Sequence, residues 1–133
     1  MTEEYCLPIR VYVEDTDAGG IVYYANYLKY IERARTELIR TLGYDKPALF
    51  NGLLFVVHSV EIKYRKPAVL DDEILATAKL IKVSRTSFTI AQRVVRGDDV
   101  LVDAEVKVAC INQETKRPSG IPSDMLQALK AAL

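Results

Sequence analysis

A change in the spacing of apolar residues constrains the fold of this chain more than any other feature. Apolar and polar residues alternate from Leu7 to Val13, and the spacing then changes to steps of three and four. The positions at this helical spacing are Tyr27, Ile31, Ala34, Leu38 and Leu42. Alternation returns at Phe55 and continues, with turns, to Ile111. Because helices repeat every 3.6 residues and strands every two, we expect one strand, one long helix and then several strands.

The strands after the helix are separated by residues that favour turns. They are expected at Phe55–Tyr64, Ile74–Val83, Thr86–Arg96 and Val100–Ile111. Gly97-Asp98-Asp99 predicts a tight hairpin between the last two strands. This order is typical of an α+β domain with a mainly antiparallel sheet. One helix cannot cover both faces and edges of such a sheet, so pairing with another chain is expected.

Capping residues mark the ends of the predicted helices. Asn26 is expected to cap the start of the long helix, and Gly43 lies where a left-handed residue usually ends one. A second, shorter helix is expected near the carboxyl end of the chain, with Ser123 as its cap. Its apolar face would be formed by Met125, Leu126 and Leu129.

The composition indicates one globular domain over residues 1–133, half of them apolar. Lys and Arg together number 18, as do Asp and Glu, so the formal net charge is zero. This balance argues against general nucleic-acid binding, which depends on concentrated positive charge. No apolar stretch approaches the length of a membrane helix. Cys6 and Cys110 lack the spacing of a metal or redox motif, so we expect reduced thiols in a cytoplasmic protein.

Two motifs carry a resemblance to a known family. Residues 12–27 read YVEDTDAGGIVYYANY, and residues 30–35 read YIERAR. They resemble the signature of the hydroxybenzoyl-CoA thioesterase-like hotdog family, in particular its YbgC branch, which is associated with the Tol-Pal cell-envelope system. Residues 60–68 and 84–88 match that branch as well. The resemblance implies a hotdog fold, in which an antiparallel sheet of five to six strands wraps around one long central helix.

The resemblance also implies a site for the hydrolysis of an acyl-CoA thioester to a free acid and CoA. Asp17 matches the catalytic carboxylate of the family and would act as nucleophile or as general base. The backbone N–H of Tyr24 would stabilise the oxyanion, and Gly20 and Tyr23 would border the acyl group. Tyr24 stands where the YbgC branch often has histidine. From pattern alone, Asp15 and Asp17 also read as ordinary turn residues.

Basic and hydroxyl residues in the later loops are candidates for binding the phosphates of CoA. They are Arg85, Ser84, Thr86, Lys66 and Arg117. No metal-ligand motif is present, and no cofactor is expected beyond the CoA of the substrate. His58 is the only histidine. Its place inside a strand favours packing or a dimer contact over the catalytic role that histidine has in hotdog dehydratases.

Two further functions compete with hydrolysis. The chain could be a non-catalytic hotdog module that binds acyl-CoA or acyl carrier protein in a lipid or envelope complex, although a carboxylate at position 17 favours an enzyme. A hotdog dehydratase would need His58 in the pocket beside a carboxylate. By resemblance we expect a homotetramer built as a dimer of dimers, with acyl carrier protein or lipid-synthesis enzymes as further partners.

Overall fold

One antiparallel sheet, with a long helix on one face, is the framework of the chain. The structure is a computed structural model that describes residues 4–44, 49–50 and 52–133. The strands in this part are β1 (Tyr5–Arg10), β2 (Leu49–Phe50), β3 (Leu53–Tyr64), β4 (Glu73–Val83), β5 (Ser87–Arg96) and β6 (Asp99–Asn112). The helices are α1 (Asn26–Thr41), α2 (Ser123–Ala131) and a short 3₁₀ helix (Val13–Asp15). This arrangement confirms the α+β class.

The six strands lie in the order β1-β4-β5-β6-β3-β2, and each neighbouring pair is antiparallel. Helix α1 packs on β4, β1 and β5, which form one half of the sheet. The helical spacing of its apolar residues explains this, because Tyr30, Ile31 and Ala34 all turn inward and are buried. The expected antiparallel sheet of five to six strands around one long helix is therefore confirmed.

Strand β3 is long, and most of one edge is unpaired in the described residues. Its other edge pairs with β6 over almost its whole length, but β2 pairs only with Leu53 and Leu54. Val57, Val60 and Tyr64 lie on the helix-facing side of the sheet and remain between 38% and 47% exposed. A long open edge beside exposed apolar side chains is a surface that proteins usually cover.

The first strand is shorter than its alternating pattern predicts. It ends at Arg10, and Val13 begins the 3₁₀ helix instead of continuing the strand. The backbone N–H of Tyr12 donates to Asp15 Oδ2 at 2.9 Å, and the N–H of Asp15 donates to Tyr12 O at 3.0 Å. These local bonds replace the ladder of a strand.

Two of the predicted helix caps are wrong, and one is confirmed. Asn26 is the first residue of α1, with Ala25 at the cap position, and Ser123 likewise begins α2 after Pro122. The side chain of Asn26 instead donates to the backbone oxygen of Asp15 at 3.0 Å. Gly43 does end α1, with a φ of 101° and an N–H that donates to Arg40 O.

Gln92 joins the helix to the sheet from a fully buried position. Its amide nitrogen donates to Ile31 O at 2.7 Å and to Thr77 O at 3.1 Å. Its amide oxygen accepts a bond from Arg35 Nη1 at 3.0 Å. Burial lowers the pKa of the Arg35 guanidinium, and the Glu32 carboxylate opposes this effect. One side chain thus satisfies groups on α1 and β4 that packing removes from water.

We expect Gln92→Leu to destabilise the protein, because the side chain keeps a similar size but loses all three hydrogen bonds. Leaving the half-buried Arg35 without its amide partner should lower the free energy of unfolding by about 2–3 kcal/mol. Urea unfolding at a fixed protein concentration would measure the change. Gln113→Leu, at an exposed turn position, is the matched control. Equal stability of the two variants would contradict the prediction.

No helix in the described part of the chain has the length and apolar character that crossing a membrane requires.

Candidate active site

The Asp-Thr-Asp motif folds into a tight loop that lies immediately before α1. Thr16 and Val22 form an isolated antiparallel bridge. The N–H of Asp17 donates to Ile21 O at 2.9 Å, and the N–H of Gly20 donates to Asp17 O at 3.1 Å. Gly20 has a φ of 79°, a left-handed conformation that favours glycine. The loop is therefore closed on itself at Asp17.

The side chain of Asp17 is held in one place but remains exposed to solvent. Its Oδ1 accepts a hydrogen bond from the backbone N–H of Gly19 at 2.8 Å. A Cβ on Gly19 would lie 3.3 Å from that oxygen, so a larger residue would crowd the carboxylate. Within the described residues, Asp17 has no ion pair. A ligand can therefore reach the carboxylate from the solvent.

The loop leads directly to free backbone donors at the start of α1. The N–H of Tyr23 donates to Asp15 O at 3.0 Å, and the N–H of Asn26 donates to Tyr23 O at 2.8 Å. Between them, the N–H groups of Tyr24 and Ala25 have no acceptor among the described residues. The first N–H groups of a helix carry partial positive charge, so this position suits a developing oxyanion.

A second segment supports the loop from the side. The N–H of Val22 donates to Ala68 O at 2.9 Å, and Ile21 forms a bridge with Val69. The buried hydroxyl of Tyr27 accepts a bond from the N–H of Ala68 at 2.9 Å. The Asp17 loop, residues 67–70 and the first turn of α1 therefore form one connected unit at one end of the sheet.

Four tyrosines surround this unit in two different environments. Tyr27 and Tyr30 are buried, as expected from their helical spacing. Tyr23 and Tyr24 are 48% and 60% exposed, with ring centroids 4.9 Å apart. The Tyr24 ring also meets Tyr64 edge to face at 6.0 Å. Tyr23 and Tyr24 thus present aromatic surface beside the Asp17 loop.

Burial raises the pKa of Tyr27, Tyr30 and Tyr64, so their hydroxyls stay protonated at neutral pH. None of these three tyrosines can accept a proton near neutrality. A base at this position would therefore have to be a carboxylate, such as Asp15 or Asp17.

The candidate CoA-binding residues lie at two ends of the sheet. The N–H of Lys66 donates to Leu101 O, and its side chain donates to Asp99 Oδ1 at 2.9 Å. The backbone of Thr86 instead accepts a bond from the N–H of Cys110. Leu101 and Cys110 are nine residues apart on β6, which corresponds to roughly 30 Å. Lys66 lies at the end of the sheet that carries the Asp17 loop, and Thr86 lies at the other.

The corner at Ser84–Ser87 is well ordered by its own hydrogen bonds. The N–H of Ser84 donates to Ser87 O at 2.8 Å, and the two hydroxyls are 2.7 Å apart. Arg85 O accepts a bond from the N–H of Ile121, in the segment that follows Arg117. The side chains of Arg85 and Arg117 are exposed and have no ion pair within the described residues. They are thus available to bind an anion.

An apolar pocket of about 180 Å³ lies between α1 and the sheet at the Phe55 end of β3. Ile39, Phe55, Phe88 and Arg35 are among the residues that line it. Phe55 and Phe88 face each other with ring centroids 6.3 Å apart. Sequence reasoning missed this pocket because residues from α1, β3 and β5 meet there only in the folded chain.

His58 lies at a β-bulge in β3, on the open edge of the sheet. Its side chain is exposed, so the structure does not place it in the core. Within the described residues, His58 forms no ion pair with a carboxylate. His58 is thus not packed in the core of one chain, and the predicted packing or dimer contact would have to involve a second chain.

Comparisons of the chain with known proteins all identify the same family. The profile of the thioesterase-like superfamily matches residues 11–129. The acyl-CoA thioesterase YbgC of Haemophilus influenzae is 40% identical over 126 residues, which are 93% of each chain. The acyl-CoA thioester hydrolase YbgC of Escherichia coli O6:H1 is 38% identical over 125 residues, covering 92% of this chain and 93% of the relative.

A solved structure agrees with these sequence matches. A protein of Bartonella henselae described as a probable thioesterase superposes with a TM-score of 0.84 and is 34% identical. The match covers 90% of this chain and 100% of the other. Matches of this length exclude a similarity confined to the Asp-Thr-Asp loop. The chain therefore belongs to the thioesterase-like superfamily of hotdog proteins and, within it, to the YbgC family.

Proposed function

We propose that this protein hydrolyses acyl-CoA thioesters to a carboxylic acid and CoA, with Asp17 as the catalytic carboxylate. One observation carries the proposal: an exposed carboxylate closes a loop that leads straight to the free N–H groups of Tyr24 and Ala25. Relatives named as acyl-CoA thioesterases support the same activity. The pairing of a carboxylate with oxyanion donors suits acyl transfer to water.

Hydrolysis of a thioester requires few catalytic groups from the protein. Thiolate is a good leaving group because thiols have a pKa near ~8.5, so no strong general acid is required. Asp17 can attack the thioester carbonyl, which expels the CoA thiolate and leaves a mixed anhydride that water then hydrolyses. Alternatively, Asp17 takes a proton from water, and the resulting hydroxide attacks the carbonyl and expels the thiolate. Both routes give the same acid and CoA.

Both routes pass through a negatively charged carbonyl oxygen, which we assign to the N–H of Tyr24. One oxyanion donor is typically worth ~2.7–4 kcal/mol of transition-state stabilisation. Gly20 leaves space beside the carbonyl, and Tyr23 borders the acyl group. Because the proposed donor is a backbone N–H, it does not depend on which side chain stands at position 24.

We further propose that the complete site includes a second copy of the chain. We expect the open edge of β3 to pair with the same edge of another copy across a two-fold axis. The two β3 strands, and likewise the two α1 helices, would then run in opposite directions. Within one chain, the Asp17 loop lies near Tyr64, while the apolar pocket lies near Phe55. These residues mark opposite ends of β3. Antiparallel pairing would bring the loop of one copy to the pocket of the other.

The same pairing gives a location for CoA. The Ser84–Ser87 corner lies at the pocket end of the sheet, so the second copy would present Arg85, Ser84 and Thr86 to the Asp17 loop. Arg117 lies in a neighbouring turn and adds a second cation that has no ion pair in the described part of the chain. Lys66 lies beside the loop of its own chain and is paired with Asp99. We assign the phosphates to the corner and treat Lys66 as a weaker candidate.

We expect the reaction to take place in the cytoplasm and to need no cofactor. CoA thioesters and acyl carrier protein both present a thioester on a phosphopantetheine arm, so either could supply the acyl group. Cys6 and Cys110 are both free thiols, which suits a reducing compartment. Enzymes of lipid synthesis are the expected sources of such acyl groups.

A panel of thioesters would test the activity directly. Short, medium and long aliphatic acyl-CoAs, aromatic acyl-CoAs and acyl carrier protein thioesters would be incubated with purified protein, and thiol release would be followed. We expect Asp17-dependent turnover of at least one CoA thioester. Binding of a non-hydrolysable thioether analogue without any turnover would instead support the non-catalytic binding module.

We expect His58→Gln to retain most thioesterase activity, because His58 lies on the open edge of β3 and, within one chain, away from the Asp17 loop. Its amide can replace a hydrogen bond of the imidazole, so a contact with a second copy would be weakened only slightly. Measurement of kcat and thermal stability would check this expectation. A loss of kcat as large as that of Asp17→Asn would favour a dehydratase-like site.

A further inference from the structure

Residues 67–72 support the Asp17 loop from the side. The N–H of Val22 donates to Ala68 O at 2.9 Å, and the N–H of Ala68 donates to the Tyr27 hydroxyl at 2.9 Å. Ala68 is fully buried. It is therefore joined through its oxygen to the loop and through its N–H to α1. The distance between the Asp17 loop and the first turn of α1 thus depends on where Ala68 lies.

An ion pair holds the residues on both sides of Ala68. Arg96 Nη1 donates to Asp72 Oδ2 at 2.6 Å and to Pro67 O at 3.3 Å. Asp72 Oδ2 accepts a second bond, from the N–H of Val69 at 2.9 Å. Pro67 and Val69 are the chain neighbours of Ala68. One pair of side chains therefore fixes the backbone before and after the residue that joins the loop to the helix.

This ion pair is well shielded from water. The side chains of Arg96 and Asp72 are 33% and 17% exposed, and each value is lower than for the matching group of any other ion pair between described residues. An exposed pair contributes little, whereas shielding strengthens the attraction between the charges. Asp71, beside the pair, has a φ of 70°, a conformation that persists only where neighbouring bonds hold it.

We propose that Asp72 and Arg96 are positioning residues that set the distance between Asp17 and the free N–H groups of α1. This inference rests on the proposed thioesterase function. Arg96 is the last residue of β5, so the pair fixes residues 67–72 to the sheet. Without the pair, Ala68 moves, and the Asp17 loop then moves relative to α1 because both are bonded to Ala68.

A change in this distance affects the transition state more than the bound substrate. Substrate binding uses many contacts over the acyl group and CoA, whereas attack on the carbonyl needs the carboxylate and the oxyanion donors in one geometry. Loss of the pair should therefore lower kcat and leave KM almost unchanged. A merely structural role would instead lower stability without changing kcat, or change kcat and KM together.

The first test is Arg96→Met, which removes the charge and both hydrogen bonds but keeps most of the length of the side chain. Well below the melting temperature of each variant, we expect kcat for one CoA thioester to fall about 10-fold with KM within about twofold. Arg93→Met is the matched control, because it removes the ion pair with Glu4 from the same strand. The control should keep wild-type kcat whatever its stability. Wild-type kcat in Arg96→Met, or an equal loss in both variants, would overturn the inference.

Conservative variants extend the test. Arg96→Lys keeps a cation that can donate to Asp72 and should recover most of the kcat that Arg96→Met loses. Asp72→Asn still accepts the Val69 N–H but loses the ion pair, so kcat should fall by about threefold. If the two side chains act as one unit, the double variant Arg96→Met/Asp72→Asn should be little worse than Arg96→Met alone. Independent, multiplicative losses would contradict the proposed pair.

A readout without substrate separates this inference from the proposed function. Hydrogen exchange followed by NMR would report on the N–H groups of Val22 and Ala68, which are hydrogen-bonded and should be protected in the wild type. We expect both groups to exchange faster in Arg96→Met and Asp72→Asn but not in Arg93→Met. Unchanged exchange would overturn the inference even in an active enzyme, whereas a wild-type protein that hydrolyses no thioester would contradict the function alone.

Discussion

Asp17→Asn is expected to lower kcat by at least ~10²-fold, the lower end of what a positioned acid–base group contributes. Asparagine has nearly the same shape as aspartate, and its side-chain oxygen can still accept the Gly19 N–H that holds Asp17 Oδ1 at 2.8 Å. The loop should therefore keep its conformation. The variant loses only the negative charge that, in the proposed mechanism, attacks the thioester or accepts a proton from water.

Steady-state thiol release at saturating substrate would measure this effect, with circular dichroism and thermal unfolding as checks of the fold. Asp98→Asn, an exposed carboxylate in the β5–β6 hairpin, is the matched control and should retain wild-type kcat. A folded Asp17→Asn protein with near-normal turnover would remove Asp17 from the mechanism. If the variant instead loses activity, mass spectrometry of the wild type after a single turnover would distinguish the two routes. Only the nucleophilic route adds the acyl group to Asp17.

Most of the framework could be predicted from the sequence because each element carries its own periodic signal. Phe88, Ile90, Gln92 and Val94 alternate along the sequence with the period of a strand, and all four are buried in β5. The end of β1 was missed at Val13, where a side chain competes with the backbone ladder. Alternation records which face is apolar, but it does not reveal that Asp15 captures the N–H of Tyr12.

The site was predictable in part for a similar reason. The loop around Asp17 is a continuous segment, so a motif could identify it, and its closure at Gly20 follows from local turn chemistry. The Tyr27 hydroxyl accepts a bond from the N–H of Ala68, which is 41 positions away along the chain, and Gln92 donates to a carbonyl of α1. Such contacts depend on how the helix lies on the sheet. Composition and periodicity contain no signal for them.

Association through β3 is the second prediction with a large expected effect. The edge of β3 is open in the described residues, and α1 packs on the other half of the sheet. Leu28, Val57, Val60 and Tyr64, which we call the β3 patch, therefore stay partly exposed. A second copy would extend the sheet and cover the patch. We expect an assembly with an even number of chains, and a tetramer of two such dimers.

Val60→Lys should break this contact, because a two-fold axis places the new charge in the interface twice. At ~2 kcal/mol for each copy, the dimer dissociation constant should rise by about 10³-fold. Ile81→Lys replaces another exposed apolar residue with the same charge, on β4 and outside the β3 patch, and should leave the dimer intact. Light scattering over a dilution series would follow both variants and the wild type.

Activity must change with assembly if the site is shared. The Asp17 loop of a lone chain lies at the opposite end of β3 from the apolar pocket and the Arg85 corner, so a monomer would have a nucleophile or base with only part of the acyl wall. We therefore expect the activity per chain to fall in proportion to the dimer fraction, both on dilution of the wild type and in Val60→Lys. A monodisperse monomer with full activity would show that one chain forms the whole site, and the pocket near Phe55 would then have no part in the reaction.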